Sequence, residues 1–390
     1  MDGIGSVAVP AASCDVLIVG AGPAGSHLGY LLARRGYEVA IVEKCCMPRD
    51  KVCGGGLTRK AVRLLDADLG AVVHHWVHAA QLRFRGDPGV VKHLDPPPAC
   101  TVLRREFDLF LLERARAAGA RCRTGVRFVD ARGESDGVQV RLEGGGALRC
   151  RLLVGSDGAA SAVRARFFGR RLVRCVPALE TLVPMSEAAR AQFGTQALFD
   201  FGAIPHGYGW IFPKRDHLNV GVYSPLGGRG LRRHLQGFLA RYEALAGARD
   251  APYQGFAIPI RNAGGRFQAD RVWLLGDAAG LADGLFGEGI YFALKSAELA
   301  ARAVQETGLR PNAPRYTQLL ESELLPELRA SRWLGRAVYA FPSLAYRRIV
   351  RNERANEDFA GLLSGSVGYR ECLGRVIRRA PRWLLARAPG

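Results

Sequence analysis

A glycine-rich turn near the start of the chain has the spacing needed to hold a phosphate group. Its pattern is G-x-G-x-x-G, and it consists of Gly20, Gly22, Pro23, Ala24 and Gly25. The first glycine permits a tight bend, the second lets the backbone approach a pyrophosphate, and the third lets a helix pack closely on a strand. Glu43 follows about twenty residues later, where a carboxylate accepts from a ribose hydroxyl, and Lys44 comes next. The pattern predicts a dinucleotide site.

Two later motifs carry residue types that suit the same ligand. Asp157 and Gly158 follow one short apolar run, and Asp277 and Gly280 follow another. An acid at the end of a strand can accept a hydrogen bond from a ribose or ribityl hydroxyl. Four further residues form a glycine-rich helix start: Gly287, Glu288, Gly289 and Ile290. Such a start can stabilise the negative charge of a reduced flavin ring, so the motifs together favour a flavin dinucleotide.

Strands and helices must position these motifs. The apolar runs at residues 16–19 and 39–42 predict buried parallel strands on either side of a helix. Alternating apolar residues between about 166 and 265 predict an antiparallel sheet, and residues 287–306 predict a long helix. The predicted fold class is therefore α/β (α+β overall), with a Rossmann-like domain, an inserted antiparallel β-sheet domain and a helical C-terminal region.

The length of the chain predicts more than one domain. It has 390 residues, 48% of them hydrophobic, which is enough for two packed cores. Because the nucleotide motifs flank the β-rich region, the domains are expected to be discontinuous. The expected divisions are a nucleotide domain at 1–75, 100–165 and 266–330, a β-rich substrate domain at 76–99 and 166–265, and a basic helical region at 331–390.

Composition bears on location and metals. No run of about 18 apolar residues predicts a membrane span, and the first strand begins too early to leave room for a signal peptide. The nine cysteines are scattered, and none forms a CxxC pair. Neither a metal site nor a disulfide framework is expected, and a reducing cytoplasm suits the chain.

The net charge of +19 is large, and nearly all of the basic residues are arginines. No nucleic-acid-binding motif accompanies the charge, so we expect no nucleic-acid partner. Residues 331–390 contain twelve arginines against four acids, interleaved with apolar residues such as Ile349, Trp383 and Leu384. This pattern fits either a helix on an anionic membrane surface or the solvated outer face of a packing helix.

The motifs, taken in order, resemble a known superfamily. The series GxGxxG…E, DG…SxVR and GDAAG…GEGI is similar to flavoproteins of the para-hydroxybenzoate hydroxylase type. Within that superfamily, PRDKVCGGGL at 48–57 and GYGWIFPKRDHLNVGV at 207–222 resemble the geranylgeranyl reductase family, which saturates isoprenoid double bonds. The resemblance implies FAD as cofactor and matches Arg104 to an arginine that contacts the flavin nucleotide. Gly284 departs from the pattern, because the family usually has proline there.

The resemblance also implies a reaction. Reducing an isolated alkene needs a hydride from reduced FAD and a proton from an acid in a dry pocket. The resemblance puts Cys53 near the flavin ring, followed by Gly54 and Gly55, and makes this thiol the first candidate for proton donor or gate. Tyr208 and Trp210 are candidates for the wall facing the prenyl chain. Lys214 and Arg215 are either a site for a diphosphate head group or part of a solvated loop.

Several questions stay open at the level of sequence. The expected substrate is an isoprenoid or prenylated molecule. No second dinucleotide motif is present, so a stably bound nicotinamide is not expected, and the electron donor is either NADPH binding transiently or reduced ferredoxin. One alternative is an FAD-dependent monooxygenase or halogenase of the same fold. Another is a membrane-associated flavoprotein without catalysis. The expected location of the protein is the cytoplasm, either free or peripheral on the inner face of the membrane.

Overall fold

The computed structural model describes residues 12–194, 196–262, 264–347 and 353–385. Strands in this part of the chain form three sheets. Their bounds are β1 Ala12–Val19, β2 Val39–Glu43, β3 Gly56–Thr58, β4 Val73–Val77, β5 Ala79–Phe84, β6 Val90–His93, β7 Ala99–Val102, β8 Arg121–Thr124, β9 Phe128–Glu134, β10 Gly137–Leu142, β11 Ala147–Gly155, β12 Val173–Pro184, β13 Gln196–Phe201, β14 Tyr208–Pro213, β15 His217–Tyr223, β16 Tyr253–Arg261, β17 Gln268–Ala269 and β18 Val272–Leu274.

Helices cover the nucleotide sheet and form most of the chain after residue 290. Their bounds are α1 Pro23–Ala33, α2 Arg59–Leu65, α3 Arg104–Ala117, α4 Ala162–Phe167, α5 Glu187–Phe193, α6 Leu231–Leu239, α7 Ile290–Thr307, α8 Arg315–Leu319, α9 Leu325–Ala340, α10 Pro342–Ala345, α11 Glu353–Ser364 and α12 Tyr369–Leu385. The long helix α7 begins at Ile290, three residues later than the sequence predicts, because Gly287 has a positive φ of 71° that belongs to a loop. No helix in the described ranges is long and apolar enough to cross a membrane.

The first sheet carries the nucleotide motifs. Its strand order is β17-β18-β11-β1-β2-β8, and the five strands from β18 to β8 run parallel. Val16, Leu17 and Ile18 at the centre of β1 are fully buried, because strands lie on both sides and helices α1, α3 and α7 cover the sheet. The carboxyl ends of β1, β2 and β11 therefore meet at one edge, which is where a parallel sheet binds its ligand.

The second sheet has seven strands in the order β16-β12-β15-β14-β13-β5-β6. It is antiparallel except for the parallel pair of β13 with β5. Side chains alternate along β14 and give the sheet two different faces. On one face, Ile211 and α6 belong to a hydrophobic core separate from that of the nucleotide domain, whereas Tyr208, Trp210 and Phe212 on the other face point toward the nucleotide domain. The predicted fold class is confirmed, with this one parallel pair in the sheet.

The C-terminal helices pack against both sheets. Helices α9 and α12 contact each other, and the backbone N–H of Tyr369 donates to Glu327. Leu362 and Tyr369 reach the space between the two sheets. Arg348, Ile349, Val350 and Arg351 of the predicted basic segment lie outside the described residues, as do the side chains of Trp383, Leu384 and Leu385.

Candidate active site

A cavity of about 700 Å³ lies between the nucleotide sheet and the face of the seven-stranded sheet that carries Tyr208, Trp210 and Phe212. Its polar end is formed by the glycine turn after β1 and by the ends of β2 and β11. Its apolar end is formed by aromatic side chains of β13 and β14 and by helices α11 and α12. This volume is in the range of pockets that enclose a cofactor-sized molecule.

The glycine turn is shaped around a ligand. Gly20 has φ +105°, and a Cβ there would lie 2.5 Å from the carbonyl oxygen of Ser156. A Cβ on Gly25 would collide with the carbonyl oxygen of Gly20. By contrast, a Cβ on Gly22 would meet only the Arg49 guanidinium, at 3.8 Å, so the space beside Gly22 is not filled by described protein atoms. Pro23 and Ala24 follow as the first turn of α1, whose free N–H groups and dipole suit a diphosphate.

A chain of charged groups lines the polar end. The Ala21 N–H donates to Oε2 of Glu43 at 2.9 Å, and Nε of Arg49 lies 3.7 Å from Oε1 of the same carboxylate. Arg49 also reaches Asp108 at 3.2 Å. Asp108 in turn accepts two hydrogen bonds from Arg104, at 2.8 and 2.7 Å. Burial lowers the pKa of Arg104, but the charge and hydrogen bonds of Asp108, together with Cys53, outweigh burial and raise it. Lys44 stands exposed at the rim.

The two acids predicted to contact the ligand have different partners. The carboxylate of Asp157 accepts from the Ala162 N–H at 2.6 Å and from the Ser161 hydroxyl, so it holds the first turn of α4 while lining the cavity beside Gly158. Burial raises the pKa of Asp157. Asp277 lies at the start of a short turn that ends at Gly280, and it pairs with Lys51 at 3.2 Å. A role of either acid toward the ligand stays a prediction.

The glycine-rich loop before α7 is held by a buried acid that sequence reasoning missed. Asp283 is fully buried, and its carboxylate accepts from the N–H groups of Leu285, Phe286 and Glu288. Burial raises its pKa to about 6. The Glu288 side chain contacts two residues outside the loop: it pairs with Lys60 at 2.7 Å and accepts a hydrogen bond from Thr58 at 2.6 Å. The loop therefore leaves Gly287, Gly289 and Ile290 facing the cavity in a fixed arrangement.

Cys53 lies where the polar and apolar ends meet. Its Sγ accepts the Gly55 N–H at 3.4 Å, and its own N–H donates to Glu180 at 3.0 Å. Glu180 faces the cavity from β12, and burial raises its pKa. Lys214 is buried behind the loop and donates to the carbonyl oxygens of Gly54 and Val102 at 2.8 and 2.9 Å.

Lys214 corrects the expectation drawn from the sequence, whereas Arg215 is exposed in the loop after β14, as the solvated-loop alternative expects. Lys214 is 3% exposed and braces the Cys53–Gly55 loop, and burial lowers its pKa to about 8. It lies neither in a solvated loop nor where its ammonium can take a head group. Arg215 donates to the carbonyl oxygen of Val73 at 2.9 Å. Sequence reasoning missed Glu180 and the bracing role of Lys214. Glu180 lies on β12 and Lys214 directly follows β14, both far from Cys53 in the chain, so no local pattern marks these contacts.

Aromatic side chains form the apolar end. Tyr208 and Trp210 project from β14. The Tyr208 ring lies 5.7 to 6.3 Å, between ring centroids, from those of Phe199, Trp210, Tyr223 and Phe286. The Tyr208 hydroxyl donates to the carbonyl oxygen of Phe286 at 2.7 Å, and the Trp210 N–H donates to Asn219 at 2.7 Å. Since both polar groups are satisfied inside the wall, the two side chains present hydrocarbon to the cavity.

The residues present fit FAD. The open space at Gly22, the free N-terminus of α1 and the acid Glu43 suit an ADP moiety, while the braced loop at Gly287–Gly289 suits a flavin ring. Fold and site together define an FAD-dependent flavoprotein. In the described ranges no cluster of three or more His, Cys, Asp or Glu side chains could hold a metal ion.

Comparison with known proteins agrees. Residues 13–170 match the family model described as FAD binding domain. The chain is 32% identical to menaquinone reductase of Mycobacterium tuberculosis over 333 residues, covering 76% of this chain and 78% of that one. It is 29% identical to chloroplastic geranylgeranyl diphosphate reductase of Nicotiana tabacum over 309 residues, 75% and 66% of the two chains. The chain belongs to the geranylgeranyl reductase family of FAD-dependent oxidoreductases.

Solved structures share the fold. A geranylgeranyl bacteriochlorophyll reductase-like protein of Thermoplasma acidophilum has a TM-score of 0.73 at 19% identity, with 96% of this chain and 98% of that one covered. A flavin-dependent brominase has a TM-score of 0.76, also at 19% identity, with 95% and 99% covered. The same architecture is therefore found in proteins named for reduction and for halogenation, so the reaction must be argued from the site.

Proposed function

We propose that this protein reduces isolated carbon–carbon double bonds of a prenyl chain, of the geranylgeranyl type. The observation that carries the proposal is the junction at Cys53, where a polar cofactor end meets an apolar end walled by Tyr208, Trp210 and Phe199. Such a wall suits a hydrocarbon and offers few groups to bind a polar aromatic substrate. The names of the relatives, a geranylgeranyl diphosphate reductase and a menaquinone reductase, are consistent with a prenylated substrate.

The reaction adds one hydride and one proton across the double bond. When bound, reduced FAD supplies the hydride, and it is oxidised as the alkene is reduced. The Cys53 thiol gives the proton to the second carbon, and the N–H of Gly55 stabilises the thiolate that remains. Glu180 accepts the Cys53 N–H beside this loop, and burial raises its pKa, which suits it to return a proton to the sulfur. Lys214 positions the loop through two backbone carbonyls.

The electron donor in this proposal is NADPH or reduced ferredoxin, acting transiently. The test reduces the yellow protein with dithionite under anaerobic conditions and adds geranylgeranyl diphosphate. Reoxidation of the flavin with a gain of two hydrogens per bond is expected, after which NADPH and ferredoxin are compared as donors. If the flavin stays reduced until oxygen enters and the product gains one oxygen atom, the protein is a monooxygenase. If no combination of electron donor and acceptor reduces and reoxidises the bound flavin, the protein is a non-catalytic flavoprotein.

Cys53→Ala tests the proton donor. We expect the variant to keep its FAD and stability but to lose alkene reduction by about 100-fold, in the range typical of general acid catalysis. Cys46→Ala is the matched control, because Cys46 is exposed and does not line the cavity. Full activity of Cys53→Ala would remove this thiol from the mechanism and point to Glu180.

We also propose that the protein contacts an anionic membrane surface through the outer face of α9 and α10. Trp333 on α9, Phe341 between the two helices and Leu344 on α10 are 62%, 65% and 46% exposed, and Arg336 lies against the Trp333 ring. Exposed aromatic residues beside arginines suit a lipid headgroup region. Trp333→Ser with Phe341→Ser should reduce sedimentation with phosphatidylglycerol vesicles several-fold at low salt, and unchanged sedimentation would exclude this face.

A further inference from the structure

The departure at Gly284 has a structural cause. The Gly284 N–H donates to the Ser331 hydroxyl at 3.1 Å, and a Cβ on Gly284 would lie 2.8 Å from Cγ of Arg332. From the other side, a Cβ on Gly335 would lie 2.5 Å from the Gly284 carbonyl oxygen. A proline at this position would lack the N–H and would collide with α9. Gly284 therefore lets helix α9 sit directly on the loop that holds Phe286.

A second chamber, of about 60 Å³, lies between this helix and the seven-stranded sheet. Its walls are almost wholly apolar and include Leu82, Phe201, Leu334 and Val338. Asp358 also borders it, but its carboxylate is paired with Arg375 and Arg379. An apolar chamber of this kind stays dry and can take hydrocarbon. By proportion to a cavity that holds benzene, this one holds about two or three carbon atoms.

Phe286 and Leu362 border both the active cavity and the second chamber. The Phe286 ring makes edge contacts with Phe199 and Phe359, at centroid distances of 5.9 and 5.5 Å. Its backbone carbonyl accepts from Tyr208, and its N–H donates to Asp283. The Phe286 backbone is thus fixed, while its side chain forms the partition between the two spaces.

We propose that the second chamber is a distal subsite for the far end of the substrate's hydrocarbon chain, entered by displacement of the Phe286 ring. The inference rests on the proposed prenyl substrate and adds a selection by length. A chain long enough to pass Phe286 buries its last carbons in the chamber, whereas a short chain ends before it. Each buried methylene group strengthens binding. The protein should therefore bind long prenyl chains more tightly than short ones.

The test compares geranyl and geranylgeranyl diphosphate, using quenching of protein fluorescence for the Kd and product mass for turnover. Val338→Phe fills the chamber and is expected to raise the Kd of the C20 compound about tenfold while leaving that of the C10 compound unchanged. Ala337→Phe, on the exposed outer face of α9, is the matched control. Val338→Ala enlarges the chamber and should improve C20 binding, which keeps the test valid if the larger residue prevents folding.

The outcomes separate the inference from the proposed function. Equal affinity of the wild-type protein for the two lengths, or an equal change for both in Val338→Phe, overturns the distal subsite. If the wild-type protein binds the C20 compound more tightly than the C10 compound and Val338→Phe abolishes this difference, but neither compound is reduced, the subsite is supported and the proposed reaction is overturned. Turnover of both compounds with no effect of Val338→Phe supports the reaction and overturns the subsite.

Discussion

The polar end of the cavity is built around a backbone turn, whereas the apolar end is built from side chains. At the polar end, Gly20, Gly22 and Gly25 come from one short turn, and Glu43, Arg104 and the end of β11 complete the site. At the apolar end, the walls come from β13 and β14, from the Asp283 loop and from helices near the C-terminus. Cofactor binding therefore depends on local geometry, and substrate selection depends on the packing of distant elements.

This difference means that the two functions can be altered separately. The backbone turn tolerates no added side chain, because a Cβ on Gly20 or Gly25 would collide with backbone and a Cβ on Gly22 would enter the open space. An aromatic wall can exchange side chains at the cost of small changes in volume, so its specificity can shift while the fold persists. Variants at the polar end should thus lose FAD, and variants at the apolar end should keep it.

The largest effect is expected at the glycine turn. Gly25→Ala should lose FAD binding by more than about 100-fold and lower the free energy of unfolding by about 1–3 kcal/mol, because the new Cβ collides with the Gly20 carbonyl. Gly22→Ala should weaken FAD binding as well but leave the stability of the apoprotein within about 0.5 kcal/mol, since no protein atom lies within 3.8 Å of the new Cβ. Flavin absorbance per protein and urea unfolding measure both.

Gly237→Ala in α6 is the control for both variants. Nothing lies within 4 Å of its added Cβ, so FAD binding should not change and stability should rise slightly. If Gly22→Ala were to keep full FAD occupancy, the open space beside Gly22 would not be the diphosphate site.

Lowering the pH should destabilise the protein through His27. This residue of α1 is 2% exposed, neither ring nitrogen has a hydrogen-bond partner among the described residues, and burial lowers its pKa to about 4. An unfolded histidine has a pKa near 6.5. Between these values the unfolded chain binds more protons, so the free energy of unfolding falls as pH falls from 6.5 to 4, by up to about 3 kcal/mol.

His27→Leu should remove this loss, and urea unfolding at pH 7, 6 and 5 measures it. Asp283 at the apolar end should act with the opposite sign. Its pKa is raised from 3.8 to about 6, so the folded state binds more protons between these values and gains stability as pH falls. If the free energy of unfolding of His27→Leu depends on pH as steeply as that of the wild type, the His27 imidazole is not a buried neutral group.

The same contrast explains what could be predicted from the sequence. The glycine turn and Glu43 lie within one βα unit, so their spacing alone indicated a nucleotide site. The identity of the strands of the second sheet followed from alternation in segments such as 196–201 and 218–223. Both depend on contacts between residues close in sequence or on a regular period.

Contacts between distant residues could not be predicted in this way. Glu180 meets Cys53 across 127 positions, and Lys214 meets Gly54 across 160. Nothing near Lys214 in the sequence shows that its ammonium is buried, and a charged Lys-Arg pair normally indicates solvent. Likewise, the approach of α9 to Gly284 depends on Ser331 and Gly335, which belong to a region that composition had marked only as basic and helical.

The smallest effects, and the sharpest comparison within the apolar end, are expected from two tyrosines that differ in one hydrogen bond. The Tyr208 hydroxyl donates to the Phe286 carbonyl, whereas the buried Tyr223 hydroxyl has no partner among the described residues. Tyr208→Phe should lower the free energy of unfolding by about 1 kcal/mol, because it leaves a buried carbonyl unpaired. Tyr223→Phe should be neutral or slightly stabilising, because it removes an unsatisfied group.

Turnover should follow the same order when both variants are measured with full FAD occupancy. Tyr208→Phe loosens the Phe286 loop and should raise the KM of a long prenyl substrate a few-fold with little change in kcat. Tyr223→Phe should leave both constants near those of the wild type, since its hydroxyl positions nothing in the cavity wall. A large fall in kcat for Tyr223→Phe at unchanged stability would instead make this hydroxyl the proton donor. The proton would then come from the aromatic wall, and the role assigned to Cys53 would be wrong.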